Sequence, residues 1–477
     1  MLAQLKKIIP VKIFVGLQPI YHFLLAFAAA LVYRFPSRRL IVIGVTGTAG
    51  KTSTVYLIAR MLAEAGYKTG FSSTAVLSDG SREWLNDKKM TMPGRFFIQS
   101  LLRQMVVGGC RYAVVETTSE GIKQFRHRFI NYDILIFTGL YPEHIESHGS
   151  FEKYQAAKGR LFAHLKRCGT KYVDEERRVV RPRSELKKLD LKRVAKTIIV
   201  NGDDEHAEYF LNFWSEAKAA YSLLEESSAA GLVDKLKGEA AVKDFLLVAG
   251  SQITSSAAGT SLLIDGQKIN LKLLGIFNAS NAAAAYALGL NQDLAPEEIR
   301  IGLEQVRGLA GKMEVIDAGQ DFSLIVDYSF EPRALEKLYE TSEIIPHQRI
   351  IHVLGSAGGG RDKARRPLLG RLAAERADIV IVTNEDPYDE DPAEIINQVA
   401  AGAEMAGKTL NQDLFKIIDR AEAISRAVSL AQAGDLVLIS GKGAEQYICT
   451  AHGEKIPWDD REVARAALVD KLCIDKQ

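Results

Sequence analysis

A glycine-rich run containing one lysine follows an apolar stretch near the start of the chain. It consists of Gly47, Thr48, Ala49, Gly50, Lys51, Thr52 and Ser53. Glycines allow backbone N–H groups to turn toward phosphate oxygens, and the N-terminus of a following helix favours the same anion. Lys51 adds a cation, and the hydroxyl of Thr52 or Ser53 can ligate magnesium. The run predicts a phosphate-binding loop, although Val45 stands where the full motif has its first glycine.

Three kinds of polar side chain could complete such a site. Glu116 ends the strand-like run RYAVVE, where a carboxylate is placed to hold the metal that bridges nucleotide phosphates. His144 and His148 follow the run DILIFTGL, and each is either a metal ligand or an ordinary polar residue paired within the fold. Lys158, in YQAAKGRLF, would by itself be interpreted as an exposed helical lysine.

The elements that must position these groups are predicted from hydrophobic periodicity. After Pro36 the pattern indicates a buried strand, a turn and a helix. Further strand-like runs at 112–116, 133–138 and 197–201 alternate with helical patterns, which predicts a mostly parallel sheet covered on both faces. The charged segment 177–196 is interpreted as a surface insertion, and 245–274 as a small antiparallel extension.

A second α/β series begins near residue 312 and contains the strand-like runs SLIVDY, RIIHVLGS, DIVIVTNE and DLVLISGKG. We therefore predict a hydrophobic N-terminal helical segment (1–36), a central P-loop-type α/β domain (37–310) and a C-terminal Rossmann-like α/β domain (311–477). Active sites in such sheets form outside the carboxyl ends of the strands, and here also between the two domains.

The N-terminal segment is the one compositional anomaly. Residues 13–33 are almost wholly apolar, and basic residues flank them on both sides. These flanking residues are Lys6, Lys7, Lys12, Arg34, Arg38 and Arg39. The stretch is about long enough to touch or cross a bilayer. The alternatives are a buried helix that covers the first sheet, or half of a helical hairpin broken at Pro19.

Composition limits the partners and the compartment. The 477 residues include 61 Lys or Arg and 59 Asp or Glu, a net charge of +2, so no strong field attracts nucleic acid. The four cysteines are far apart and form no CxxC pair, which argues against a zinc ribbon or a disulfide framework. A cytoplasmic protein is expected, with attachment to the inner face of the plasma membrane as an open alternative.

Ten motifs in order resemble the Mur ligase family, and within it the MurE branch, the UDP-N-acetylmuramoyl-tripeptide synthetases. They are VTGTAGKTS, VVETTSEG, GLYPEHIESHGSFEKYQAAKGRLF, GIFNASNAAAA, GKMEV, VDYSFEPRAL, GGGRDKARRPLLG, TNEDPYDEDP, ISGKGAEQY and WDDREVA. The match covers roughly residues 41–468. The resemblance implies ATP-dependent formation of an amide through an acyl phosphate. The implied substrates are a free amino acid and a muramyl-dipeptide precursor, UDP-linked or lipid-linked, and a monomer is expected.

The resemblance also implies residue roles. ATP is assigned to the loop from Gly47 to Ser53 and to Asn278, Asn281, Lys312 and Asp327. Mg²⁺ is assigned to Thr52, Glu116, His144 and Lys158, the last as a lysine carbamate formed with carbon dioxide. Catalysis is assigned to Lys51, Glu116, His144 and Lys158. The muramyl-peptide is assigned to Thr91, Met92, Pro93, Thr118, Ser119, Gln124 and Arg126. The amino acid is assigned to Arg361, Glu385, Asp386, Pro387, Tyr388, Gly441 and Glu445.

Departures from the family pattern leave several points open. The family's usual Asn, His, Arg and His are replaced by Ala49, Glu120, Lys312 and Phe330. Tyr388 stands where diaminopimelate-adding enzymes have an Arg that pairs with the distal carboxylate, so diaminopimelate, lysine and another diamino acid all remain candidates. Only about forty residues precede the phosphate loop, where the family has a UDP-binding domain of roughly a hundred, and we expect the hydrophobic segment to hold the enzyme at the membrane.

Two other functions fit parts of the pattern. A folylpolyglutamate-synthase-like ligase would share the fold and the acyl-phosphate route, but the WDDREVA ending and the Glu-Asp-Pro-Tyr stretch favour the muramyl branch. A non-catalytic, nucleotide-binding assembly protein would explain the four substitutions. It would not explain why the phosphate-loop lysine, the metal positions and Lys158 are all retained.

Overall fold

The computed structural model describes residues 11–88, 90–142, 148–174, 178–180, 191–224, 245–360 and 363–474. The first described elements are helix α1 (Val11–Val32) and a short 3-10 helix (Pro36–Arg39), which lead into the first of two large sheets. The strands of that sheet are β1 (Ile41–Thr46), β2 (Thr69–Ser72), β3 (Val76–Ser78), β4 (Glu83–Leu85), β5 (Tyr112–Glu116), β6 (Ile134–Phe137), β10 (Thr197–Asn201), β11 (Ala217–Ser222), β12 (Phe245–Ser256), β13 (Gly259–Ile264) and β14 (Gln267–Leu271).

Seven adjacent strands of this sheet run parallel, in the order β12-β11-β10-β6-β1-β5-β2, and antiparallel strands extend both edges. Strand β1 is buried along its whole length because both faces of the sheet are covered. The helices of this part are α2 (Lys51–Glu64), α3 (Arg95–Val107), α4 (Ser119–Lys123), α5 (Phe151–Leu165), α6 (Ala207–Leu211), α7 (Phe277–Asn291) and α8 (Pro296–Glu304). The alanine-rich α7 packs against α2, whose first turn carries the glycine-rich run.

The interpretation of 177–196 as a surface insertion is wrong at its C-terminal end. Three short strands, β7 (Lys171–Val173), β8 (Val179–Val180) and β9 (Lys192–Val194), form a separate sheet. Lys196 is buried and donates to Asp133 Oδ1 at 2.7 Å, while Lys171 donates to Oδ2 of the same carboxylate at 2.5 Å. A buried carboxylate requires such partners, and the buried Asp133 therefore draws both lysines inside.

The second large sheet has six strands in the order β15-β16-β20-β17-β18-β19. They are β15 (Glu314–Val315), β16 (Ser323–Asp327), β17 (Ile350–Leu354), β18 (Ile379–Thr383), β19 (Leu414–Ile417) and β20 (Leu436–Ser440). The helices are α9 (Pro332–Ser342), α10 (Arg365–Arg376), α11 (Pro392–Met405), α12 (Arg420–Leu430) and α13 (Asp460–Ile474), and β21 (Tyr447–Cys449) pairs with β22 (Lys455–Pro457). An apolar core lies on each side of the sheet. The α/β class predicted from the sequence is confirmed.

The hydrophobic N-terminal segment forms a helix that continues through Pro19, so the hairpin broken at that proline does not form. One side of α1 packs against α3 through the buried alanines Ala26, Ala29 and Ala30. In the part of the chain that the structure describes, no helix combines the length and the apolar character needed to cross a bilayer.

Acidification is expected to destabilise the C-terminal sheet through His352. This residue of β17 is fully buried between the hydroxyls of Tyr339 (2.5 Å) and Ser440 (2.9 Å), and burial lowers its pKa to about 3. In the unfolded chain this imidazole binds a proton below about pH 6.5, whereas in the folded chain it stays neutral until about pH 3. The contribution of His352 to the free energy of unfolding is therefore fully present above pH 6.5 and is lost as the pH falls toward 3. Between pH 7 and pH 5 the loss from His352 is about 2 kcal/mol.

Urea unfolding at several pH values measures this effect. The signal is the fluorescence of Trp458, in protein whose other two tryptophans have been replaced. His352→Gln is expected to flatten the pH dependence, whereas replacing the exposed His452 by Asn should leave it as in the wild type. An unchanged slope in His352→Gln would show that other groups dominate.

Candidate active site

The glycine-rich run forms a tight loop between β1 and α2. Gly50 has φ 79° and precedes the first turn of α2, and a Cβ added there would lie 2.5 Å from Oδ1 of Asn281. The Thr138 hydroxyl donates to the Ala49 carbonyl at 2.6 Å, and Lys51 Nζ donates to the Thr48 carbonyl at 2.7 Å. The loop is therefore held by Thr138, which follows β6, and by Lys51 in the first turn of α2. It lies at the N-terminus of α2, which favours phosphate.

Glu116 lies beside this loop and is almost completely buried. Both of its carboxylate oxygens accept from the Thr52 hydroxyl, at 3.0 and 3.1 Å. The backbone N–H of Thr74 donates to Oε2 at 2.7 Å, and the Thr74 hydroxyl also contacts Thr91 Oγ1 at 2.9 Å. A hydroxyl and a carboxylate at one phosphate loop form a set of hard oxygen donors, which fits Mg²⁺.

Lys158 also reaches the loop. It lies on α5 with only 1 % of its surface exposed, and Nζ donates to the Gly47 carbonyl at 2.8 Å. The ring of Tyr154 lies 4.6 Å from Nζ, and its hydroxyl is 3.2 Å from Thr48 Oγ1. The interpretation of this lysine as an exposed helical residue is therefore wrong, because Lys158 is buried and reaches the loop that follows β1.

His144 and His148 both follow β6 in the sequence. His144 lies outside the described residues. The His148 side chain is nearly buried, and Nε2 is 3.1 Å from Ser119 Oγ and 3.7 Å from the Glu120 carboxylate. His148 thus contacts Ser119, which was assigned to the muramyl-peptide, and the neighbouring Glu120 on α4.

The residues assigned to the muramyl-peptide lie together around α4. Arg126 donates to Gln124 Oε1 at 2.7 Å and to the Met92 carbonyl. Thr118 caps α4 by accepting from Gly121 N at 3.1 Å, and Pro93 is buried next to Met92. Thr91 is linked to Glu116 through Thr74, so this group adjoins the metal-binding candidates.

Two asparagines on α7 brace the phosphate loop from the other side. Asn281 donates to Asn278 Oδ1 at 2.9 Å and accepts from the Thr54 hydroxyl at 3.3 Å. Asn278 donates to the Leu274 carbonyl at 2.8 Å. Both side chains are buried, and Asn281 fills the space that a side chain at Gly50 would need.

Asp327 belongs to the C-terminal sheet, and Lys312 lies just before the first strand of that sheet, β15. Asp327 ends β16 and accepts from the backbone N–H groups of Met313 and Ser329, at 2.8 and 2.7 Å. Lys312 Nζ lies 4.4 Å from the centre of the Tyr328 ring. Across the two parts of the molecule, the Arg333 guanidinium stacks 4.0 Å from the ring of Tyr141.

The residues assigned to the amino acid gather around buried Lys442. Its Nζ donates to Asp386 Oδ1 at 2.9 Å and to Glu445 Oε2 at 2.6 Å. Glu385 lies behind them. Its Oε2 is buried without a hydrogen-bond partner among the described residues, and burial raises its pKa while Lys442 opposes the rise.

The remaining members of this group are backbone positions. Gly441, with φ 110°, lies close enough to Glu385 that an added Cβ would be 2.9 Å from Oε2. Tyr388 has φ 51°, and its N–H donates to the Cys449 carbonyl at 3.1 Å. Pro387 packs against Gly358, while Arg361 lies outside the described residues.

Sequence reasoning missed three residues of this region. Thr74 follows β2 in the run SST, Lys442 follows β20 in GKG, and Arg365 begins α10 in KARRP. Arg365 is 7 % exposed, and among the described residues its Nε and Nη2 have no hydrogen-bond partner. The position of Thr74 and Lys442 directly after buried strands was the available signal, since such positions meet at one edge of a parallel sheet.

Two family models match the chain. The Mur ligase middle domain matches residues 45–189, and the glutamate ligase domain of Mur ligases matches 311–443. The UDP-N-acetylmuramyl-tripeptide synthetase of Roseiflexus sp. (strain RS-1) is 36 % identical, over 94 % of this chain and 82 % of that protein. The UDP-N-acetylmuramoyl-L-alanyl-D-glutamate--2,6-diaminopimelate ligase of Geobacillus kaustophilus (strain HTA426) is 33 % identical with the same coverage.

Solved structures agree on the fold. A UDP-N-acetylmuramoyl-L-alanyl-D-glutamate--2,6-diaminopimelate ligase superposes with a TM-score of 0.56 at 25 % identity, covering 91 % of this chain and 79 % of the other. Mycobacterium tuberculosis folylpolyglutamate synthase complexed with ADP gives 0.61 at 16 % identity, covering 88 % and 92 %. The resemblance predicted from the motifs is confirmed, and the chain belongs to the Mur ligase family.

Proposed function

We propose that this chain is an ATP-dependent ligase that joins an amino acid to a muramyl-dipeptide precursor. The observation that carries the proposal is the convergence of Lys51, Thr52, Glu116 and Lys158 on one phosphate loop. The relatives' names supply the substrate class, since they describe a muramyl-tripeptide synthetase and a diaminopimelate ligase.

The phosphate loop would bind the ATP phosphates through its backbone N–H groups and Lys51. Thr52 and Glu116 would hold Mg²⁺, together with His144 and a carbamate on Lys158. A bare Lys158 ammonium would repel the cation, whereas capture of carbon dioxide by the neutral amine turns the side chain into an anionic oxygen donor. When bound, Mg²⁺ neutralises the negative charge of the phosphoryl group that ATP transfers.

The reaction that we propose has two steps. A carboxylate oxygen of the acceptor attacks the γ-phosphorus, the bond to the leaving ADP oxygen breaks, and an acyl phosphate forms. The amino group then attacks the acyl carbon, loses a proton and expels phosphate to give the amide. Asn278 and Asn281 fix the loop, and Lys312 and Asp327 would position the nucleotide from the C-terminal sheet.

The cluster around Lys442 would receive the amino acid. Oε2 of Glu385, which is buried and has no hydrogen-bond partner among the described residues, favours a ligand that brings an ammonium group. Within the part of the chain that the structure describes, Nε and Nη2 of the buried Arg365 have no hydrogen-bond partner, and the charge of Arg365 acts to lower the pKa of Glu385. These N–H groups suit a ligand carboxylate. We therefore propose a zwitterionic amino acid, and a diamino acid in particular. Tyr388 cannot form the ion pair with a distal carboxylate that an Arg would form, so diaminopimelate, lysine and another diamino acid all remain candidates.

Location and acceptor form are also proposals. ATP and free amino acids are cytoplasmic, and the cysteines Cys110, Cys168, Cys449 and Cys473 form no disulfide, in keeping with a reducing compartment. We propose attachment to the inner face of the plasma membrane through residues 13–33. A UDP-linked and a lipid-linked acceptor are both compatible with the residues around α4. A monomer stays a prediction.

One ligation assay tests the proposed function. Purified protein is given ATP, Mg²⁺, a UDP-linked or lipid-linked muramyl-dipeptide and a panel of amino acids, and the products are identified by mass. We expect one adduct in which an amino acid has been added with loss of water, together with stoichiometric ADP. Nucleotide binding without amino-acid-dependent ADP release would favour the non-catalytic assembly protein, and glutamate addition to a folate would favour the folylpolyglutamate-synthase-like ligase.

Replacing Glu116 by Gln is expected to raise the Mg²⁺ concentration needed for half-maximal activity by about 10- to 100-fold. Gln keeps the size of the side chain and can still bond to Thr52 and Thr74, but it removes the negative charge. Glu83→Gln is the matched control because Glu83 is partly exposed and pairs with Arg60 on the surface. An unchanged Mg²⁺ requirement in Glu116→Gln would remove Glu116 from the metal site.

A further inference from the structure

Helix α1 carries its large apolar side chains on the side that faces away from the protein. The side that packs on α3 carries small residues, with Ala26, Ala29 and Ala30 at most 2 % exposed. An ordinary surface helix has the opposite arrangement. We name the exposed stripe the outer face, and it consists of Leu17, Ile20, Tyr21, Leu24, Phe27, Leu31 and Val32.

The outer face is a continuous stripe and not a scatter of single residues. Leu17, Ile20, Leu24, Phe27 and Leu31 recur at intervals of three and four, which places them along one side of the helix, and Tyr21 and Val32 widen the stripe. Leu24 is 57 % exposed and Leu31 56 %. Eight of the 22 exposed large hydrophobic residues in the described chain lie in this one helix. Apolar surface concentrated in this way marks an interaction site.

Charge indicates what the outer face contacts. The first 39 residues contain six Lys or Arg and no Asp or Glu, although the whole chain has a net charge of only +2. Arg34, Arg38 and Arg39 are exposed directly after the C-terminus of α1. Basic residues beside an apolar helix face are attracted to anionic lipid headgroups, each contributing roughly fivefold in affinity.

We propose that the outer face docks on the surface of an anionic lipid bilayer, with α1 lying in the plane of the headgroups. The inner side of the helix is held by α3. The rings of Phe23 and of Phe27, which lies at the edge of the outer face, pack on Phe129 at 5.2 and 5.3 Å. Only one side of α1 is therefore available to lipid, which is the geometry of an interfacial helix.

A second copy of the chain is a less suitable partner for this face. Pairing two outer faces would bring both sets of basic flanking residues together without any acidic residue in either segment. Like charges at such an interface oppose association, whereas anionic headgroups would be neutralised by the same residues.

The docked helix would lie next to the residues assigned to the muramyl-peptide. Phe125, between Gln124 and Arg126, packs edge-on against Phe23 of α1 at 6.3 Å. This step rests on the proposed function: the contact would bring the residues assigned to the muramyl-peptide near the bilayer. The enzyme would then have access to a muramyl-peptide held at the membrane. The docking itself does not require ligase activity.

Flotation of the full chain with vesicles tests the proposal. Vesicles of phosphatidylglycerol and phosphatidylcholine are expected to bind the protein at least about tenfold more tightly than phosphatidylcholine alone. Ile20→Gln/Leu24→Gln/Leu31→Gln should weaken binding to the anionic vesicles by about tenfold or more, because three large apolar side chains leave the interface. Arg34→Gln/Arg38→Gln/Arg39→Gln should reduce it toward the level with neutral vesicles.

The control is Met405→Gln/Leu410→Gln/Val469→Gln, which changes three exposed apolar residues elsewhere and should bind like the wild type. Circular dichroism and ligation of a water-soluble acceptor verify that the α1 variant is folded, so failure of docking and failure of the proposed function are distinguished. Flotation of the α1 variant at the wild-type level would overturn the proposal. So would a wild-type dimer in sedimentation velocity that the α1 variant loses, without vesicle binding.

Discussion

Lys158→Ala is expected to abolish ligation while ATP still binds. The side chain is buried against the phosphate loop, with Nζ 2.8 Å from the Gly47 carbonyl oxygen. Under the proposed function it carries an anionic donor to the cation that neutralises the transferred phosphoryl group. Loss of one such preorganised charge costs roughly 100- to 1,000-fold in kcat, and we expect Lys158→Ala to lie at or beyond the upper end. Lys51 and the loop backbone remain, so nucleotide affinity should change little.

The measurement is single-turnover ligation beside equilibrium binding of a fluorescent ATP analogue. Lys153→Ala is the matched control, because Lys153 is on the same helix but exposed. Depletion of bicarbonate should inhibit the wild type and leave the residual activity of Lys158→Ala unaffected. Full activity in Lys158→Ala would show that Lys158 does not bind the metal. Loss of ATP binding would show instead that Lys158 maintains the conformation of the phosphate loop.

The sequence predicts the strands of both sheets well because they are short apolar runs bounded by polar residues. The predicted runs 112–116 and 197–201 coincide with β5 and β10. The order of strand, glycine-rich turn and helix after Pro36 was also predictable, since these three elements together have few alternative interpretations. What could not be predicted is which isolated polar side chain turns inward, as Lys158 and Lys196 show.

Thr74 and Lys442 were missed because their position after buried strands does not reveal which polar side chains they meet in the fold. Thr74 matters through its bonds to Glu116, which is 42 residues away, and Lys442 through Asp386, which is 56 residues away. Only the order of strands in the sheets brings these pairs together. The inverted polarity of α1 was equally hidden, because an apolar stretch does not reveal which side the protein covers.

Arg420→Ala is expected to destabilise the C-terminal sheet by about 3–5 kcal/mol. The guanidinium is fully buried and forms two bonds of 2.7 Å to the Asp460 carboxylate, joining α12 to the start of α13. It also donates to the Ser440 carbonyl at 2.8 Å. Removal of the cation leaves a buried carboxylate without its ionic partner, and the indole N–H of Trp458 alone cannot compensate for that loss.

Urea unfolding followed by Trp458 fluorescence measures the loss. Arg426→Ala, at an exposed position of the same helix, should cost less than about 1 kcal/mol, and Arg420→Met/Asp460→Leu should recover much of the stability because no charge is left buried. A loss as small as that of Arg426→Ala would show that water reaches Asp460.

Arg420 also contacts the backbone next to the residues assigned to the amino acid. It donates to the Ser440 carbonyl, directly before Gly441, and to the Asn384 carbonyl, directly before Glu385. In conditions where Arg420→Ala is folded, we therefore expect a higher KM for the amino acid with little change in the KM for ATP.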